Sequence, residues 1–169
     1  MKPSIHKMMQ LSILVALGAM LFILENMIPM PLPWIRLGLA NVVTLLAIYW
    51  WGLKEATFIV ILRVILGGLL SGRFLTPAFV LALSGGIASL FIMVLIHRYA
   101  SKLFSIIGIS LWGAIFKNTV QLALVAFIYV KNIGIFSMLP LILFSTLFSG
   151  IITGYITHHL YSRIPFLRL

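Results

Sequence analysis

The sequence predicts an all-α membrane protein, a bundle of about six transmembrane helices forming one integral membrane domain over residues 1–169. Three observations carry that reading. Hydrophobic residues make up 63% of the chain and charged residues 8%, with a mean hydropathy of +1.22. A soluble domain carries roughly 25% charged residues, so too little polar surface is present to coat a water-soluble globule. The apolar residues fall into runs close to the roughly 20 residues needed to cross about 30 Å of hydrocarbon. The basic residues sit mostly at the ends of those runs, where they orient helices in a bilayer.

The first run, about Met8 to Ile28, stops at Pro29-Met30-Pro31-Leu32-Pro33, a segment that cannot be helical. It is too long for the apolar core of a signal peptide, and Glu25-Asn26 ahead of prolines makes a poor cleavage site, so it reads as a retained span. The second run, about Leu37 to Trp51, is short for a full span and is ended by Gly52. Lys54-Glu55 opens the third, which reaches about Ser71. The fourth spans about Pro77 to Ile96, and Arg98 to Lys102 follows as a basic loop. The fifth spans about Ile106 to Val130 and the sixth about Ser137 to Tyr161.

Orientation follows from the lysines and arginines. With the N-terminus inside, Lys2, Lys7, Lys54, Arg98, Lys102, Arg163 and Arg168 fall on the inner side, against Arg36, Arg73 and Lys131 on the outer. Both termini are therefore expected in the cytoplasm, with the chain multi-pass in a bacterial-type inner membrane. Trp50, Trp51, Tyr99 and Tyr161 would mark the inner interface, and Trp34 and Tyr129 the outer one.

Composition also removes function classes. The chain has 12 Lys+Arg against 2 Asp+Glu, a formal net charge of +10. The cations are scattered along helix ends, not gathered into a groove, so no nucleic-acid partner is expected. Cysteine is absent, which removes disulfides and thiolate chemistry. Aspartate is absent too, and Glu25 and Glu55 are the only acids. Paired-carboxylate catalysis and Asp-rich magnesium–diphosphate motifs are excluded within this chain. His6, His97, His158 and His159 lie at or near predicted helix ends. No metal site, cofactor or catalytic residue is expected.

Two cations remain inside apolar runs, Arg63 in the third helix and Lys117 in the fifth. A charge at mid-bilayer costs a few kcal/mol even on lenient insertion scales and normally faces the bundle interior. Arg63 shares a helical stripe with Ala56, Gly67 and Ser71; Lys117 shares one with Ser110, Gly113 and Gln121. Both stripes are small or polar, so both cations are expected to point inward. Glu55 reads as structural, near the dipole of its own helix start. That leaves Glu25 as the one internal anion, against Arg63, Lys117 and Arg36. Either backbone groups satisfy the cations, or an anionic ligand resolves the imbalance. The second reading places Arg63, Lys117, Asn118 and Gln121 around one cavity, with Ser84 at comparable depth and Glu25, Arg36 and Asn41 near its mouth. Arginine suits such a ligand through its planar fork of donors.

Small residues form further patterns. Gly68-x-x-x-Gly72 and Gly150-x-x-x-Gly154 permit close helix contact, and Ser84-Gly85-Gly86 with Ser89 makes a thin face. Ser12-x-x-x-Ala16, with Gly18 and Ala19, gives the first helix a smooth patch that either docks a partner or packs internally.

Several segments together resemble a known family: Arg36-Leu37-Gly38-Leu39-Ala40-Asn41, Gly52-Leu53-Lys54-Glu55-Ala56, Arg63 with Gly67-Gly68, Ser84-Gly85-Gly86 with Ser89, and Lys117-Asn118-Thr119-Val120-Gln121. They are similar to the Gx transporter family, also labelled heptaprenyl diphosphate synthase component I. That family looks related to the substrate-binding S components of energy-coupling factor (ECF) transporters. The resemblance runs from the first helix to the sixth, and the Gly38–Asn41 and Gly52–Ala56 blocks carry most of it. One position departs: where the family pattern in the fifth helix is His-Asn-x-x-Gln, Lys117 replaces the His.

The resemblance implies two functions. As an S component, the chain would cup a small anionic or amphiphilic substrate from outside. It would then dock a transmembrane coupling protein driven by ATPase subunits, with Ser12, Ala16 and Ala19 on the docking face. As a synthase component, it would be a non-catalytic accessory or anchor for a soluble prenyltransferase. A stand-alone facilitator is the remaining class.

Overall fold

A computed structural model describes residues 5–27 and 38–163. Among these the chain forms six α-helices: α1 (Ile5–Met27), α2 (Ala40–Trp50), α3 (Leu53–Leu70), α4 (Pro77–Tyr99), α5 (Ile106–Leu124) and α6 (Leu139–Arg163). A π-helical segment, Val125–Val130, prolongs α5, and a 3-10 segment, Ile133–Met138, leads into α6. The all-helical expectation holds. Four helical stretches, Ile5–Met27, Pro77–Tyr99, Ile106–Val130 and Gly134–Arg163, are long and apolar enough to cross a membrane.

The helix ends follow local chemistry. Thr76 caps α4, its hydroxyl accepting from the Phe79 amide at 3.4 Å, with Pro77 in the first turn where its missing N–H costs nothing. Ser105 caps α5 in the same way through the Gly108 amide at 3.3 Å. The α2–α3 turn requires Gly52, whose φ of +92° is hostile to other residues. Arg98 belongs to the last turn of α4, not to the following loop as expected, because nothing breaks the helix before Tyr99.

The second helix is short, as its sequence suggested. Its 11 residues rise about 16 Å, well short of a span. Every residue from Ala40 to Ile48 is buried, as is Trp50. It is a central core helix packed against α1, α3, α4 and α6. A helix hydrophobic almost all round suits burial on every side, with Asn41 and Thr44 as its buried polar exceptions. Trp50, at the end of α2, is buried within the bundle; its ring meets that of Trp51 edge-on at 5.7 Å.

The outer surface is apolar and the interior holds polar groups. Phe91, Phe127, Phe144, Leu141 and Tyr155 are exposed, whereas Arg63, Lys117, Gln121, Ser89, Thr146 and Thr157 are buried. An apolar exterior with polar groups set among an apolar core suits a lipid solvent, where polar side chains find partners inside the bundle. Glycines let the helices approach. A Cβ at Gly154 would lie 2.7 Å from the Ile107 Cα, and one at Gly150 would lie 2.9 Å from the Leu111 Cα. These close contacts are with backbone of α5, so any side chain there would push α5 and α6 apart.

The two ends of the bundle are distinct. Lys7 of α1 pairs with Glu55 of α3, tying together the starts of two neighbouring helices. Nearby elements of that end hold an aromatic cluster, Tyr49 with His97 at 4.4 Å and with Tyr161 at 5.3 Å. At the opposite end, the Arg73 guanidinium donates to Asn26 Oδ1 at 3.2 Å.

Candidate functional site

Four helices bring a polar cluster together inside the bundle. Arg63 projects from the middle of α3 and is 3% exposed; Lys117 projects from α5 and is 7% exposed. Glu25 of α1, Asn41 of α2 and Gln121 of α5 are buried beside them, and all five line one cavity of about 20 Å³. That volume is close to the space of a single water molecule.

Local sequence explains how each cation reaches the site. The Arg63 stem crosses α1 at Gly18, where an added Cβ would lie 3.2 Å from Arg63 Cδ. On α4, a Cβ at Gly86 would lie 3.9 Å from an Arg63 terminal nitrogen. Gly85 makes room for Gln121, whose side chain would stand 2.8 Å from an added Cβ. Gly38 performs the same service for Lys117. It has a φ of +75°, and its Cβ position lies 3.6 Å from both Lys117 Nζ and Asn41 Nδ2, and 3.2 Å from Ser149 Oγ. The Gly38–Asn41 turn thus runs directly over the Lys117 ammonium. Only a residue without a side chain fits both the left-handed backbone and the close approach.

The start of α2 is held between charges of opposite sign. Glu25 Oε1 accepts from the Ala40 amide at 3.2 Å. The Arg63 guanidinium donates to the Ala40 carbonyl and, at 3.0 Å, to Asn41 Oδ1. The Ala40 peptide therefore bridges the carboxylate and the guanidinium. Gln121 donates from Nε2 to the Leu81 carbonyl of α4 at 2.8 Å. Two polar atoms of the cluster, Arg63 Nε and Gln121 Oε1, are buried without a hydrogen-bond partner among the described residues. Such atoms cost free energy unless something satisfies them.

The expected residues divide accordingly. Arg63, Lys117, Gln121, Asn41 and Glu25 meet. Glu25 is buried, lines the cavity and binds the α2 start at the Ala40 amide. Arg36, its expected counter-ion, lies outside the described residues, as does Trp34. Asn118 is buried but turned about 100° from Lys117; it faces α6 and donates to Thr146 Oγ1 at 2.6 Å. Ser84 is one position away from the inward Gly85 and bonds the Val80 and Leu81 carbonyls of its own helix. On α1, Ser12 and Ala16 are exposed, but Gly18 and Ala19 are buried, so Ala19 is packed internally and cannot share a docking face with them.

One feature of the interior was not anticipated. Thr146, Ser149, Thr153 and Thr157 make a buried polar stripe along α6, beginning next to Asn118 and the Gly38 turn. Ser110 of α5 joins it through a 2.7 Å hydroxyl–hydroxyl bond with Thr153. The signal was available as a three- and four-residue spacing of Ser and Thr, the period of one helix face.

An all-helical bundle with membrane-length apolar helices and a charged, glycine-framed cluster in its interior defines a membrane protein with an internal polar site. The chain belongs to the heptaprenyl diphosphate synthase component I family, whose family model matches residues 14–160. Neither the curated proteins nor the solved structures provide a significant match.

Proposed function

We propose that this chain is the membrane substrate-binding subunit of an ECF-type importer, capturing a small anionic or amphiphilic substrate from outside. The observation that supports it is the meeting of Arg63, Lys117, Gln121, Asn41 and Glu25 at one buried cavity. Two cations against one carboxylate leave a positive balance that an anionic group of a ligand would neutralise. Buried charges are costly where apolar packing would serve, which favours a ligand role for the cluster beside its hold on the start of α2.

A cavity of about 20 Å³ admits no vitamin-sized ligand, so binding must widen it. The start of α2 is the natural moving part. A ligand carboxylate or phosphate would replace the Ala40 carbonyl and Asn41 Oδ1 as acceptors for Arg63, and the Gly38–Asn41 turn would lift from Lys117. Bonds from the guanidinium to a ligand anion join two opposite charges and are stronger than those it makes to the neutral acceptors they replace, which gives the exchange its driving force.

In this reading all six helices lie in the membrane, α2 as a partial span, with both termini cytoplasmic. Lys7, Lys54, Arg98, Lys102 and Arg163 then mark the inner end, and Arg73 and Lys131 the outer. Reporter fusions placed after Lys102 and after Lys131 should read inside and outside respectively; the reverse pattern removes the outward-facing site. The exposed Ser12–Ala16 face of α1 is offered as the docking surface for a coupling protein.

The alternative is a non-catalytic membrane accessory of a polyprenyl diphosphate synthase, suggested by the family description. Without aspartate, the chain itself lacks the acidic motifs of metal–diphosphate chemistry. Purification of the gently solubilised protein from its native membranes separates the two. A transmembrane coupling protein together with ATPase subunits is the expected company. A prenyltransferase in their place would overturn the importer reading.

A further inference from the structure

A second cavity lies far from the polar cluster, at the end of the bundle that carries the Lys7–Glu55 pair. It is a groove of about 370 Å³ between the first turns of α1 and α3. Its apolar wall is Met8, Leu11 and Phe58, and its polar rim is Lys7, Lys54 and Glu55. Met8 and Phe58 are more than half exposed, at 55% and 52%. Its volume falls in the roughly 300–1,000 Å³ range of small-molecule sites.

The chemistry along the groove is graded. One end is charged and the remainder is apolar and open to the bundle's outer face. The rim carries two ammonium groups and one carboxylate, a net charge of +1. Lys7 is joined to Glu55, and Lys54 is exposed at the first turn of α3. An occupant that matches this surface has a single negative charge at its head and a hydrocarbon tail. A zwitterionic lipid would leave the excess positive charge unbalanced, and a partner helix that filled the groove would have to present an acid beside an apolar ridge.

We propose that the groove between α1 and α3 binds one anionic glycerophospholipid, its phosphodiester at Lys54 and Lys7 and an acyl chain against Met8, Leu11 and Phe58. The lipid binding does not require the importer reading, but the groove shares Ser12 with the face offered to a coupling protein, so a docked coupling protein and the lipid would occupy that end of α1 in turn. Assignment of the lipid to the inner leaflet rests on the orientation given above.

The test is native mass spectrometry of the purified full chain, delipidated in detergent and titrated with an equimolar mixture of dioleoylphosphatidylglycerol and dioleoylphosphatidylcholine. The first lipid adduct should favour phosphatidylglycerol. Lys54→Gln should reduce that preference about fivefold, the effect of one lysine near an anionic surface. Lys102→Gln removes an exposed charge outside the groove and should leave the preference unchanged. Ser12→Phe fills the apolar part from an exposed position while keeping both lysines, and should weaken the first adduct of either lipid. Melting temperatures of the variants identify any that fail to fold, and Ser12→Phe tests the groove without touching a charge. Equal adducts of the two lipids in the wild type would overturn the proposal. So would equal losses in Lys54→Gln and Lys102→Gln, which would mean diffuse surface attraction. Displacement of the adduct by inorganic phosphate alone would mean a headgroup site without a chain groove and would also overturn it.

Discussion

Arg63→Gln should destabilise the detergent-solubilised bundle by about 3–5 kcal/mol, the usual cost of removing one partner from a buried charged network. The guanidinium is buried, donates to the Ala40 carbonyl and to Asn41 Oδ1, and shares its cavity with the Glu25 carboxylate. Without it, Glu25 remains buried with less compensating charge, and the α2 start loses two bonds. Glu25→Gln should be costly for the complementary reason, since it leaves Arg63 and Lys117 without the nearby carboxylate. The double variant should then cost less than the two single variants added together. Couplings of about 0.5–3 kcal/mol are typical of residues in one network. Thermal and denaturant unfolding of the four proteins in the same detergent measures the cycle. Strict additivity would mean that Glu25 and Arg63 do not sense one another, and the bridging role of the Ala40 peptide would fall.

The second large effect concerns Lys117. If the substrate carries an anionic group to this cluster, Lys117→Gln should weaken its binding several-fold to hundreds-fold. A hydrogen bond to a charged group is worth about 1.5–3 kcal/mol, and 1.4 kcal/mol is tenfold in affinity. Lys117→Arg should also bind less well, because its planar fork is longer and cannot occupy the same point under the Gly38 turn. The Gly38–Asn41 turn lies beside the ammonium, with the Gly38 Cβ position 3.6 Å from Lys117 Nζ, so the guanidinium would have to find its place against that turn. Equilibrium titration with the compound carried by the wild type measures both, with unfolding measured alongside. Unchanged affinity in folded Lys117→Gln and Arg63→Gln proteins would assign the cations to packing alone.

The parts of the site that could be read in advance are those that break a rule. Arg63 and Lys117 interrupt apolar runs, and the residues one turn away, Gly67 and Gln121, showed which way they face. Depth was harder to read. Glu25 stands just before a proline-rich segment, which suggested a mouth, and only its contact with the Ala40 amide of α2 shows it buried beside the cations. Among the described residues α2 begins only at Ala40, a boundary that a helix buried on every side, with no solvent face, does not mark in its sequence. Asn118 and Ser84 each lie one helical position from a residue facing the cluster, a rotation of about 100° that turns Asn118 of α5 toward α6 and Ser84 of α4 onto its own backbone. The Lys7–Glu55 pair joins residues 48 apart in sequence; only the packing of α1 on α3 creates it. The α6 hydroxyl stripe escaped because serine and threonine occur readily in apolar helices, where each can bond its own backbone.

Native mass spectrometry of the gently extracted wild-type protein tests the central claim most directly, because it weighs the ligand and the partners in one measurement. The expected result is a fraction of the chain carrying a small anionic compound, released on collisional activation and absent from the folded Lys117→Gln protein. Protein that never carries such a compound, isolated instead in a stoichiometric complex with a polyprenyl diphosphate synthase, would contradict it.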